Sequence, residues 1–230
     1  MRKLPALIAA IALTVSAAGV AKGPPASWDG LLRVKSKHLE NVYLLPNADF
    51  RTYTKVILDP SEVAFEKNWQ RDYNSSTVGL GGRMSDRDAR AILDEAQKRF
   101  DRIFAPAFEK AGYQVVTEPG EDVLRVSMAL INFQVQAPDQ MSAGRSRTFS
   151  REAGQATLVL EARDSLSGQV LGRAVDAQWA GDTGPLMRNR VTNIADFERL
   201  FSEWAKRASA GIDLLKSHSP IDASGALRRR

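Results

Sequence analysis

The chain has 230 residues, 26% of them charged and 7% aromatic, and a formal net charge of +5. It contains no cysteine, which excludes disulfides, thiolate metal sites and cysteine nucleophiles, and leaves no acceptor for a lipoprotein anchor. Its length fits one domain with a substantial core.

At the amino terminus, Arg2 and Lys3 precede an apolar run from Leu4 to Val15, and small residues follow from Ser16 to Ala21. This is the three-part pattern of a secretory signal, and its apolar part, about a dozen residues, is short of the roughly 20 that span a bilayer. Residues 1–21 are therefore expected to be a signal peptide cleaved near Ala21, delivering the chain to the periplasm or outside the cell. Their removal takes away two bases and no acids, leaving 30 basic against 27 acidic residues, and Arg228, Arg229 and Arg230 account for that whole excess. A near-neutral body argues against nucleic acid as a partner.

Residues 22–38 start with Gly23-Pro24-Pro25 and show little periodicity, so they read as an extended leader draped on the surface, with Trp28 as its anchor. Asn41 to Leu45 suits an edge strand. Thr52 to Asp59 alternates as a strand until Pro60 stops its pairing, and Val63 to Phe65 resumes after the break. Glu66 to Met84 reads as a loop ending in glycines.

Ser85 is placed to cap a helix running to about Ala111, with Asp86 and Asp88 in the first turn and Gly112 as the stop. Tyr113 to Thr117 and Val123 to Val135 read as a hairpin across Pro119-Gly120. The apolar phase of the second arm slips at Ile131-Asn132, which predicts a β-bulge. Gln155 to Ala162 and Gln169 to Trp179 form a second hairpin, and Asn193 caps a last helix whose apolar stripe includes Phe197, Phe201, Trp204 and Leu215. The pattern predicts an α+β fold, a two-layer sandwich in which a mainly antiparallel sheet carries two helices on one face. It is organised as signal peptide 1–21, leader 22–38, one domain over 39–217 and a flexible basic tail over 218–230.

The runs Trp28-Asp29-Gly30-Leu31-Leu32, Tyr43 to Pro46 and Pro46-Asn47-Ala48-Asp49-Phe50-Arg51-Thr52-Tyr53-Thr54-Lys55-Val56, followed by Asp59-Pro60, resemble the bacterial envelope family known as domain of unknown function 3313. The resemblance implies an exported or lipid-anchored protein with no assigned activity, and it transfers no catalytic residue. The missing cysteine departs from the lipoprotein members.

No set of residues forms a catalytic or metal signature. His38 lies in the leader and His218 in the tail, not on the rigid scaffold that a triad or zinc site needs. Gly79 to Gly82 lacks the spacing of a dinucleotide fingerprint. Asp59, Glu62, Glu66, Asp176 and Asp182 are possible acids or bases, but a glycosidase needs two facing one cleft. Arg145, Arg147 and Arg151 surround hydroxyl residues in one loop and could hold a phosphate or carboxylate, with a solvated loop as the simpler reading. Trp179 and Trp204 fall on core patterns, whereas Trp28 and Trp69 lie in irregular segments where one could meet a partner. The tail arginines Arg228, Arg229 and Arg230 would give at most weak contact with a membrane surface. The expected function is a non-catalytic binding or assembly module of the envelope, without cofactor or metal, whose partner is another envelope protein or a second copy of itself. A carboxylate-dependent hydrolase and a small-ligand carrier, with the ligand held between the two layers, are the alternatives.

Overall fold

The computed structural model describes residues 23–77, 83–136, 148–181 and 186–222. Its first strands are β1 (Ser27–Trp28), β2 (Leu31–Val34), β3 (Asn41–Leu44), β4 (Lys55–Leu58) and β5 (Glu62–Phe65). Helices α1 (Trp69–Ser76) and α2 (Asp86–Lys110) follow, then β6 (Gln114–Val115), β7 (Val123–Val135) and β8 (Thr148–Ser150). The chain continues through β9 (Gly154–Asp164), β10 (Val170–Ala180) and β11 (Leu186–Arg188) to α3 (Arg190–His218).

The long alternating strands β7, β9 and β10 lie side by side and antiparallel, and they form the middle of a nine-stranded sheet. On the β10 side β3, β2 and β1 continue it, and on the β7 side β4 and then β6 complete it. Strand β5 pairs with the same edge of β7 as β4, farther along. Pro60 divides the two because it has no amide to donate after Asp59 N–H bonds to the Val126 carbonyl. The bulge forms where the apolar phase slips: between Ile131 and Gln134 the pairing with β9 gains one residue, and Asn132 takes a φ of 51°. Strands β8 and β11 make a separate two-stranded sheet.

Four expectations are corrected. The leader is not draped over the surface, since residues 27–34 supply β1 and β2, and Asn41 to Leu44 is an interior strand between β2 and β10. Tyr113 to Thr117 does not pair with β7, because β4 lies between β6 and β7 and runs parallel to both. The expected loop after Glu66 contains helix α1, in which Trp69 stacks on Phe65 and Tyr73 with ring centroids 4.3 and 5.8 Å apart.

Helix α2 begins as its sequence predicts, with Ser85 and Asp88 forming a reciprocal capping box. Helix α3 starts a turn earlier than Asn193, capped by Asn189, while Asn193 is buried and donates to the Gln136 carbonyl. Both long helices lay apolar stripes on one face of the sheet. Phe100, Phe104 and Phe108 of α2 and Phe201 and Trp204 of α3 are fully buried, and Phe100 meets Phe201 edge-on at 5.2 Å. Such edge contacts add about 1 kcal/mol to the burial of the rings.

Two glycines mark opposite extremes of packing. A Cβ on Gly154 would lie 1.9 Å from the Gln134 carbonyl oxygen, whereas one on Gly211, inside α3, would meet nothing within 4 Å. Gly154→Ala is expected to lower the unfolding free energy in urea by at least about 2 kcal/mol. Gly211→Ala should raise it by up to about 1 kcal/mol through helix propensity. Equal effects of the two would contradict the packing described.

Candidate functional site

Strand alternation sends the two faces of the sheet to different environments. On β10, Asp176 points to the helices and Trp179 away from them, so Trp179 is 56% exposed on the uncovered face and is not the core residue its pattern suggested. Trp204 does occupy the core.

The uncovered face carries paired charges. Arg173 bridges Glu161 and Asp29, each at 2.5 Å, and Arg163 also pairs with Glu161. Trp28 lies under the Arg173 guanidinium, 4.7 Å from ring centroid to charge, and edge-on to Tyr43. Asp59 receives three bonds from Arg125, the shortest at 2.7 Å, and one from Ser127 at 2.7 Å. Burial works to raise the Asp59 pKa, but the bonds from Arg125 and Ser127 outweigh it and hold this carboxyl below the usual range. Asp164 is likewise held low, chiefly by the Ser167 amide, with Tyr53 and Ser167 hydroxyls adding to it.

On the helix-facing side, Asp176 is 2% exposed. Its carboxyl accepts from the Trp204 indole at 2.7 Å and from the Glu40 amide at 2.8 Å, with Arg207 at 3.9 Å. One side chain therefore joins β10, α3 and the loop between β2 and β3.

That loop roofs an open slot between sheet and helices, of about 90 Å³ and lined almost wholly by apolar groups. Leu44, Val126 and Leu160 form its sheet wall, and Phe108, Ala208 and Ile212 its helix wall. Small residues make the space: Gly172 and Ala174 on β10 face Ala208 and Gly211 on α3. The partly exposed lining residues Ser36 and His38 on the loop, and Gly211, Leu214 and Leu215 on α3, define the mouth.

Among the described residues, those singled out in the sequence do not converge. Arg145, Arg147, Asp182, Gly79 to Gly82 and Arg228 to Arg230 lie outside the described residues, as does the segment 1–21. Arg151 is exposed after β8, Trp28 sits in the edge strand β1, and Trp69 stacks beside β5. Among the carboxylates, Asp59 is engaged by Arg125, Asp176 by Trp204 and Glu40, and Glu66 by Gln134, while Glu62 is exposed. His218 bonds to the Leu214 carbonyl at the end of α3. Among the described residues no group of three or more His, Asp or Glu could hold a metal ion, and no helix is long and apolar enough to cross a membrane. The sequence offered a ligand between the two layers only as an alternative and marked none of the slot's lining, although Gly211, a glycine inside the last apolar stripe, was visible there as a break in helix propensity.

The lowered carboxyls set a pH dependence. A group whose pKa falls on folding stabilises the fold above its unfolded pKa, near 4, and loses that contribution as pH drops through the folded value. Urea unfolding should thus give a free energy that is level from about pH 5 upward and declines below about pH 4. In Asp59→Asn this decline should be shallower, and an unchanged slope would remove Asp59 from the account.

The profile of a family of unknown function, DUF3313, matches residues 21–208. No curated protein matches the sequence. Among solved structures, a Xanthomonas campestris protein of family DUF330 is 12% identical, with 75% of this chain and 88% of that one covered and a TM-score of 0.40. The PelC dodecamer from Paraburkholderia phytofirmans is 11% identical, covering 72% of this chain and 95% of that one, at a TM-score of 0.37.

Proposed function

We propose that this chain, which belongs to the DUF3313 family of unknown function, works as a non-catalytic binding protein of the bacterial envelope that holds an apolar group in the slot between its two layers. The observation that carries this reading is the slot itself. Its apolar lining is reached from solvent through the mouth, so an apolar group that enters removes hydrocarbon surface from water, at about 25 cal/mol for each Å² buried. The engagement of Asp59 and Asp176 by donors supports binding over acid-base chemistry, because neither is poised to exchange a proton with a substrate. The signal pattern of residues 1–21 supports the envelope as the place of action.

Octanol titrated into isotope-labelled protein is expected to shift the methyl resonances of Leu44 and Ile212, and to leave them unmoved in Ala208→Leu, whose added carbons fill the slot. Chain isolated from the periplasmic fraction should begin close to Lys22. Unmoved methyls in the parent protein would overturn the binding site, and an intact Met1 on protein confined to the cytosol would overturn the location.

A further inference from the structure

We infer that the slot takes the aliphatic end of an anionic amphiphile, whose carboxylate or phosphate head lies over the β2–β3 loop; this rests on the slot being a ligand site. At about 90 Å³ the space encloses a few methylene groups, and its open mouth lets an aliphatic chain continue outward. Each methylene buried contributes about 0.8 kcal/mol, and the slot encloses only a few of them, so contacts outside must supply the remaining affinity and the selectivity.

The mouth is equipped for one sign of charge. The segment Lys35-Ser36-Lys37-His38 that forms one lip carries two formal cations, against one acid at Glu40, while Arg33 is turned to the uncovered face and donates to Asn41. Lys35 and Lys37 are exposed and make no ion pair or hydrogen bond among the described residues. Between them, the Ser36 oxygen accepts the His38 and Leu39 amides at 3.1 and 3.3 Å, which fixes the loop and leaves the hydroxyl proton free to donate. The half-buried His38 side chain lines the slot and has no hydrogen-bond partner among the described residues. The opposite lip, Leu214 and Leu215, is apolar and half-buried, a surface along which the middle of a chain can lie as it leaves the slot. Apolar depth, an apolar ramp and a cationic, hydrogen-bonding lip together match an anionic head on a hydrocarbon chain.

The test compares octanoate, octyl phosphate, octanol and octyltrimethylammonium by the same methyl shifts at low ionic strength. Octanoate, octyl phosphate or both should bind on the order of tenfold tighter than octanol, with the ammonium compound weakest. Preference between the two anions separates a free fatty acid from a phosphate-bearing lipid. The exposed pair Lys35→Gln/Lys37→Gln should bring the favoured anion to the octanol level with the melting temperature unchanged. If octanol binds in the slot and neither anion exceeds it, or the cation binds best, the inference fails while the apolar site stands. If no probe, octanol included, moves the slot methyls, the site itself falls.

Discussion

A single buried carboxyl holds this architecture in register. Asp176 sits where β10 passes under α3, and its two oxygens are divided between layers: one takes the Trp204 indole from the helix, the other the Glu40 amide from the β2–β3 loop. Burying such a group without donors would cost several kcal/mol, so the geometry of its partners is strongly selected once the chain collapses. Because both bonds converge on one residue, the loop that roofs the slot is fixed relative to the helix that forms its opposite wall. The slot is thus a consequence of how these three elements are tied, with Gly172, Ala174, Ala208 and Gly211 supplying the missing volume.

Much of the fold could be read from the residues. The phase slip at Ile131-Asn132 located the bulge, Ser85 located the start of α2, and the two arms around Asp164 to Gly168 were recognisable from alternation and turn chemistry. These are local features, in which neighbouring residues determine the outcome. What could not be read depends on distant partners. Strand β4 inserts between β6 and β7, a choice made by long-range hydrogen bonds such as that from the Gln114 amide to the Thr54 carbonyl. Strands β1 and β2 are short, β2 pairing with β3 and β1 with β2, which no window of the leader reveals.

The site was less legible than the fold. Sequence singles out residues by their chemistry, and it pointed to tryptophans and carboxylates that the structure sets on separate elements or engages with donors, and to arginines of which only Arg151 is among the described residues. Trp179 illustrates the limit: its pattern is that of any strand residue, and only the placement of both helices on the Asp176 side leaves it exposed. The slot is defined by small residues and by space, which have no chemical signature along the chain. Membership of DUF3313 places the chain among proteins without an assigned activity, so the physical properties of this space carry the functional reading.

The role assigned to Asp176 is tested most directly by amide hydrogen exchange on the parent chain and on Asp176→Asn. If Asp176 pins the roof of the slot, the Glu40 amide and its neighbours over residues 35–42 exchange slowly in the parent and much faster in the variant, while the paired amides of β7 and β9 keep their protection. Exchange over residues 35–42 that is the same in both proteins, or equally fast loss of protection throughout the sheet, would contradict it.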